Sequence, residues 1–387
     1  MKMGVGYAII LILVASISRL ASGCYDSIIS FGDSLADTGN LLLLSPPNNP
    51  PLCGRPPYGR TFFHRTTGRY SDGRLVIDFI AESLGLPLVE PYAAWKIAAE
   101  KGGSFSKGVN FAVAGATALD TMFFDKRGIQ NLVTNASLGI QLDWFKQFLA
   151  RIPDGRKFLK SSLIVMGEIG GNDYNYPIQQ GNVDPQVIRS LVPTVVNYMG
   201  SIIEELIKLG AETMLVPGNL ALGCLPLYLT QYKTSSTEND YDPKTGCLNW
   251  LNELSIYHNE LLQKELFRIR HLHPRISIIY ADYYNATIRF YLSPDQFGFT
   301  KESVLRACCG GGGPYNYDPL TACGIDRPAA NCCENPSLFA SWDGIHFTEA
   351  ANRWIAQGFI RQHYTHPPIK TLCPSVATAG AGYYEYQ

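Results

Sequence analysis

The chain has 387 residues, of which 46% are hydrophobic and 17% charged, and its formal net charge is −1 at neutral pH. These values exclude a disordered polypeptide, and the near-zero net charge argues against nucleic acid as a partner. The length allows two domains or one large domain. No proline- or serine-rich linker and no repeat divides the sequence, so we expect one domain over residues 24–387.

The first 23 residues have the features of a secretory signal peptide. Lys2 supplies a basic start, an apolar run follows, and small residues precede Cys24 at the expected cleavage point. The apolar run is short for a bilayer span, with an N-terminal anchor helix as the alternative. We therefore expect a secreted or vacuolar protein with no membrane span in its mature chain. In such a protein the sequons at Asn135 and Asn285 are candidate glycosylation sites, or else plain turn asparagines.

The regular elements are predicted from the spacing of apolar residues. Uninterrupted apolar runs, typical of strands buried on both faces, occur at 27–31, 163–167, 213–218 and 276–282. Helical spacing occurs at 195–209, 248–270 and 349–361. Strands that alternate with helices predict an α/β sheet covered by helices on both faces.

Long stretches without periodicity separate these elements. They are expected at 45–70, 92–107, 176–190, 231–247 and 291–341. Loops of this length are usually functional or held by covalent bonds. The glycine- and cysteine-rich part of the last stretch fits the second description.

The ten cysteines all follow the expected cleavage point, which predicts disulfide bonds. Cys308 and Cys309 are adjacent, as are Cys332 and Cys333, so each is expected to bond to a more distant cysteine. The connectivity stays open at this point. No CxxC pair is present, so we expect no structural zinc site.

Three candidate positions lie beyond the carboxyl ends of strands, where an α/β sheet places its active groups, and a fourth candidate segment lies near the C-terminus. Ser34 follows the first apolar run, Gly115 lies where the run GVNFAVAGA ends, and Asn172 lies within GEIGGND. Asp343 and His346 are three residues apart in SWDGIHFTEAA.

These residue types are those of acyl transfer. A serine becomes nucleophilic when an imidazole takes its proton, and a carboxylate orients that imidazole. Ser34 is thus the candidate nucleophile, His346 the base and Asp343 the orienting group. The backbone N–H groups of Ser34 and Gly115, with the Asn172 amide, are the candidate oxyanion hole. This chemistry needs no metal and no cofactor.

Each of these residues has a structural alternative. Ser34 could cap a helix with Asp37, Asn172 could be a turn residue, and Gly115 could permit a close contact between a helix and a strand. The Asp343-x-x-His346 pair could be the start of a helix with a histidine on the surface. The joint pattern carries the prediction. The sequence contains no G-x-S-x-G, so a nucleophile-elbow hydrolase is not indicated. If Asp343 is not the third member, Asp282 at a strand end is the next candidate.

Four segments, in order along the chain, resemble the signature blocks of plant GDSL-type esterases/lipases of the SGNH hydrolase superfamily. They are FGDSLADTGN at 31–40, GVNFAVAGAT at 108–117, GGNDY at 170–174 and WDGIHFTEAA at 342–351. Two further stretches, 68–87 and 308–317, are similar to the branch that includes acetylajmalan esterase and sinapine esterase.

The resemblance implies a flavodoxin-like three-layer α/β/α fold, no metal, and catalytic roles for the same five residues, with Asp343 completing the triad. It leads us to expect a monomeric serine esterase that acts on small-molecule esters, with short-acyl esters of plant metabolites favoured. An acyltransferase is the main alternative, and a non-catalytic binding protein is less favoured. Asp33 and Asp37 are expected to shape the loop around Ser34. They share one short loop, which disfavours a glycosidase with opposed carboxylates.

Overall fold

The computed structural model describes residues 24–99, 107–129, 133–181, 184–325, 331–361 and 363–368. The expected signal segment at 1–23 and Cys373 lie outside the described residues.

Within the described residues, a six-stranded sheet forms the centre of the fold. Its strands are β1 (Ser27–Phe31), β2 (Gly108–Asn110), β3 (Ser162–Met166), β4 (Thr213–Pro217), β5 (Ser277–Ala281) and, last in the chain, β8 (Thr365–His366). The order is β2-β1-β3-β4-β5-β8, with β8 alone antiparallel to its neighbour. A separate antiparallel pair joins β6 (Cys309–Gly310) to β7 (Asn331–Cys332). The four strands expected from apolar runs are present, with ends shifted by no more than one residue.

Helices are distributed along the whole described chain. They are α1 (Asn40–Leu44), α2 (Val76–Ser83), α3 (Tyr92–Ala99), α4 (Thr121–Asp125), α5 (Leu138–Leu149), α6 (Gly155–Lys160), α7 (Gly171–Gln179), α8 (Pro185–Leu209), α9 (Pro226–Gln231), α10 (Asn249–Leu272), α11 (Tyr283–Leu292) and α12 (Glu349–Ile360). Short 3₁₀ turns occur at Leu52–Gly54, Leu222–Cys224, Glu238–Asp240, Pro294–Phe297, Pro319–Thr321 and Pro336–Leu338. In this part of the chain, no helix is both long and apolar enough to cross a bilayer.

The sheet lies between two helix layers. Val165 and Met166 point to opposite faces because side chains alternate along a strand. Phe31, beside Met166 in the register, packs its ring on Phe145 of α5. Val165 instead lines a small cavity with residues of α2 such as Ile77. Helix α8 packs on α5 and α10, while α12 packs on α2 and α11. The expected α/β class with a mainly parallel central sheet is thus confirmed.

Two expected loops prove to be partly helical. Helix α3 occupies the first half of the 92–107 stretch, where Tyr92 and Trp95 stack on each other and Trp95 packs on Phe148. Tertiary packing of this kind stabilises a helix too short to be stable alone. Helix α8 begins at Pro185 instead of 195, because the Asp184 side chain accepts the N–H of Gln186 and proline suits the first helical turn.

Three disulfides are fully described: Cys224–Cys247, Cys308–Cys333 and Cys309–Cys323. As expected, the adjacent Cys308 and Cys309 bond to different partners, and two of the bridges hold the 291–341 stretch. Cys332 departs from the expectation because its thiol is free and Sγ accepts a hydrogen bond from Arg60 Nη1 at 3.0 Å. Cys53 is free and buried.

Candidate active site

The turn after β1 places Ser34 at the carboxyl edge of the sheet. Gly32 has a φ of +137°, and a Cβ there would lie 2.9 Å from the carbonyl oxygen of Glu168, so only glycine fits. Gln141 of α5 holds this turn, since its side chain accepts the Gly32 N–H at 2.9 Å and donates to the Gly32 carbonyl at 2.8 Å. Ser34 follows two residues after Gly32 and is partly exposed.

The structure brings Ser34, His346 and Asp343 together. His346 Nε2 lies 2.8 Å from Ser34 Oγ, and His346 Nδ1 lies 2.7 Å from Asp343 Oδ2. Asp343 Oδ1 accepts the backbone N–H groups of Ile345 at 3.0 Å and of His346 at 2.8 Å. These two backbone contacts fold the D-x-x-H segment into a tight turn in which Asp343 contacts His346 and His346 contacts the serine.

The electrostatics of the pair favour an ionised aspartate. Burial raises the pKa of the Asp343 carboxyl, but the charge of His346 and the hydrogen bonds from His346 and Ile345 outweigh burial, so the pKa lies below its usual range. A charged Asp343 can accept a hydrogen bond from the Nδ1–H of His346 and stabilise an imidazolium.

Two tyrosines support this pair, and the sequence did not single them out. The Tyr58 hydroxyl donates to Asp343 Oδ2 at 2.8 Å, and the Tyr70 ring lies 4.5 Å from the His346 ring, measured between centroids. Both come from the 45–70 stretch, which the sequence marked only as a long stretch without periodicity.

Gly115 lies five residues beyond β2 and has a φ of +81°. A Cβ there would lie 2.5 Å from Val133 Cγ1 and 2.8 Å from the Tyr176 hydroxyl oxygen. The same hydroxyl donates to the Gly115 carbonyl at 2.7 Å. The position therefore requires glycine both for its dihedral angle and for space.

Asn172 lies in the first turn of α7, where its side-chain amide is already engaged. Nδ2 donates to Asp33 Oδ2 at 3.0 Å and to the Ala116 carbonyl at 2.9 Å. Oδ1 accepts from Asn175 Nδ2 at 3.2 Å. An oxyanion at this amide would have to share or replace one of the two Nδ2 contacts.

Three buried carboxyl groups connect the Ser34 loop, the Gly115 segment and α7 to one another. Asp33 links the Ser34 loop to Asn172, as described above. Asp37 accepts the Ala114 N–H at 2.8 Å, which ties the Ser34 loop to the Gly115 segment. Asp173 accepts the Ala118 N–H at 2.7 Å, which ties α7 to that same segment. Burial raises the pKa of Asp37 to about 6 and that of Asp173 to about 7, against these hydrogen bonds.

The remaining candidates lie elsewhere. Asp282 caps α11 and accepts the backbone N–H of Asn285 at 3.0 Å, so the structure does not bring it to the triad. Asn135 and Asn285 are both exposed. Among the described residues, no cluster of histidine, cysteine or acidic side chains has the form of a metal site.

The arrangement at Ser34 can perform general-base-assisted nucleophilic attack. Nε2 lies within proton-transfer distance of the hydroxyl, and the carboxylate behind Nδ1 fixes the tautomer that leaves Nε2 free to accept the proton.

Comparison with known proteins gives matches along nearly all of the chain. A family model described as GDSL-like Lipase/Acylhydrolase matches residues 28–359, which include all four signature segments. GDSL esterase/lipase At1g28590 and GDSL esterase/lipase At1g31550, both of Arabidopsis thaliana, are each 50% identical over 369 residues. The alignments cover 94% of this chain and 89% and 91% of those proteins. GDSL esterase/lipase At1g28580 of the same plant is 50% identical over 364 residues, or 92% of this chain and 90% of its own.

Proposed function

Because the chain belongs to the GDSL-like lipase/acylhydrolase family and is a carboxylic ester hydrolase, we propose that it works through an acyl-enzyme formed on Ser34. The observation that carries this proposal is the hydrogen-bonded line from Ser34 Oγ through His346 to Asp343. These hydrogen bonds join a nucleophile to a base and the base to an orienting carboxylate, which is the arrangement that activates a serine.

In the first half-reaction, Ser34 Oγ attacks the ester carbonyl carbon as His346 Nε2 takes the hydroxyl proton. Asp343 stabilises the imidazolium. The tetrahedral oxyanion is met by the backbone N–H groups of Ser34 and Gly115 and by the Asn172 amide. When the intermediate collapses, the C–O bond to the alcohol breaks and the alcohol leaves with the proton from His346.

In the second half-reaction, His346 takes a proton from water, and the hydroxide attacks the acyl carbon. Collapse of the second intermediate releases the carboxylic acid and returns the proton to Ser34. An acceptor alcohol in place of water would make the enzyme an acyltransferase, so product analysis with and without an added alcohol distinguishes the two outcomes.

The substrate and the compartment belong to the same proposal. Resemblance of residues 68–87 and 308–317 to the acetylajmalan and sinapine esterase branch favours short-acyl esters of plant metabolites. The three described disulfides support passage through the secretory pathway, with 1–23 as signal peptide and residues 24–387 as one domain. Exposure of Asn135 and Asn285 is compatible with glycosylation at both.

A fluorophosphonate probe, which labels activated serines, tests the nucleophile. We expect wild type to be labelled and to hydrolyse p-nitrophenyl esters, with short acyl chains preferred, and Ser34→Ala to lose both properties. Ser190→Ala, at an exposed serine of α8, is the matched control and should keep both. Labelling or more than a few per cent of hydrolysis in Ser34→Ala would refute the assignment.

A further inference from the structure

A pair of buried carboxyl groups lies directly behind the Asn172 amide. Asp33 and Glu168 are 3% and 5% exposed, and their side chains are hydrogen-bonded to each other. The backbone joins them as well, because the Asp33 N–H donates to the Glu168 carbonyl at 3.0 Å. Two ionised carboxylates have no hydrogen to share, so this contact requires a proton on one of them.

Asp33 is the member whose contacts favour a carboxylate. Its Oδ1 accepts the Leu35 N–H and its Oδ2 accepts the Asn172 amide, both at 3.0 Å. Burial raises the pKa of Asp33, while the hydrogen bonds from Glu168 and Leu35 and the charge of His346 act against burial and favour the ionised form. Both oxygens of this side chain therefore serve as acceptors.

Glu168 is the member that carries the proton. No described group donates to its buried Oε1, and the hydrogen bond from the Gly171 backbone, which favours the charged form, is outweighed by burial. Burial, and then the charge of Asp33, raise the pKa of Glu168 well above its usual range. The Glu168 carboxyl lies so close to the Gly171 backbone that a Cβ at position 171 would be 2.9 Å from Oε1, so this placement of the side chain depends on glycine.

We propose that Glu168 is a positioning residue of the oxyanion hole, whose protonated carboxyl donates to Asp33 and so holds the acceptor that orients the Asn172 amide. The proposal rests on the acyl-enzyme function. The neutral state of Glu168 also matters, because it keeps a second negative charge away from the site where the oxyanion develops.

The titratable groups around Glu168 come from four parts of the fold. Asp33 is on the loop after β1, Asp173 and Tyr174 are on α7, Tyr228 is on α9, and Tyr283 is on α11. The nearest carboxyl groups both oppose a negative charge on Glu168. Ionisation of Glu168 at alkaline pH therefore breaks its donated hydrogen bond and adds repulsion beside Asn172.

Glu168→Met and Glu168→Gln distinguish the effect of losing the hydrogen-bond donor from the effect of changing the side-chain volume. Met keeps the length without a donor, and we expect kcat to fall about 30-fold with KM within about twofold, since a displaced oxyanion donor costs turnover, not affinity. Gln restores an N–H donor, so we expect a loss of only about threefold. Glu260→Gln, at an exposed position of α10, is the control. Equal losses in Met and Gln, or a change confined to KM, would overturn the proposal.

The pH profile gives a second measurement that does not depend on the folding of the Met variant. We expect the kcat of wild type to fall at alkaline pH and the kcat of Glu168→Gln to fall much less, with Asp173 contributing equally to both. The same alkaline fall in both enzymes would refute a role for the Glu168 proton. Absence of ester hydrolysis and probe labelling in wild type would instead refute the proposed function itself, so the two failures are distinguishable.

Discussion

Acid sensitivity of the fold should depend on His258, a fully buried histidine of α10. Its Nδ1 lies 2.7 Å from the hydroxyl oxygen of Tyr174, a residue of α7. Its ring also lies close to Gly170, where an added Cβ would be 3.4 Å from Cε1. It thus supports the start of α7, which carries Asn172. Burial lowers the pKa of His258 from 6.5 to about 4.

The direction in which pH changes the free energy of unfolding follows from proton uptake at His258 on unfolding. Between pH 6.5 and 4 the unfolded chain binds a proton at this histidine and the folded chain does not, so the free energy of unfolding falls as the pH falls. The gap between the two pKa values, at about 1.4 kcal/mol per pH unit, corresponds to about 3 kcal/mol. The contribution is fully present above pH 6.5 and lost as the pH approaches 4.

The assay is urea unfolding of wild type and His258→Gln at several pH values from 7.5 to about 4. Buried carboxyl groups add their own pH dependence to both proteins, so the difference between the two is the informative quantity. We expect that difference to move by about 3 kcal/mol in favour of the variant as the pH falls. His271→Gln, at an exposed histidine of the same helix, should follow wild type. A difference that stays constant with pH would refute the reasoning.

Three further predictions concern the site. Asn172→Ala should lower kcat by roughly 10²–10³, about 3–4 kcal/mol, with a smaller effect on KM; unchanged turnover with weaker binding would make Asn172 a substrate-binding residue instead. Tyr58→Phe should lower kcat about tenfold without changing the fold, because Asp343 loses one donor; steady-state kinetics with circular dichroism tests this, and an unchanged kcat would contradict it. Gly115→Ala should abolish hydrolysis. Gly85→Ala is the control, because Gly85 has a φ of +69° and no atom lies within 4 Å of an added Cβ. The control variant bears only the strain of the dihedral angle and should stay active. Equal activity of the two glycine variants would show that the Val133 contact does not matter.

The strands and the five candidate site residues could be predicted because each leaves a local pattern. A strand buried on both faces is a continuous apolar run, and the residues after β1 and β3 lie at the carboxyl edge of a parallel sheet. The sequence therefore sufficed to bring Ser34, Gly115, Asn172, Asp343 and His346 into one hypothesis. The ends of the helices were less certain, since capping at Asp184 and aromatic packing around α3 decide them.

The supporting side chains could not be predicted, because their roles exist only in three dimensions. Tyr58 and Asp343 are separated by 285 positions, and no periodicity marks the loop that carries the tyrosine. Glu168 resembles an ordinary surface acid in the sequence, and its burial against Asp33 depends on how β1 and β3 pair. Cys332 shows the same limit, since an even number of cysteines did not predict a free thiol among them.

The separation of 312 positions between Ser34 and His346 has a consequence for the newly made protein. At about 5–20 residues per second, the ribosome finishes the histidine about 15–60 s after the serine. In the proposed mechanism the serine has no base during that interval, so its hydroxyl is as unreactive as that of any other serine. Ester hydrolysis by this mechanism begins only after the segment that carries His346 has been made and has folded against the Ser34 loop. The nascent chain is inactive up to that point, and recovery of activity on refolding reports that these two distant segments have come together.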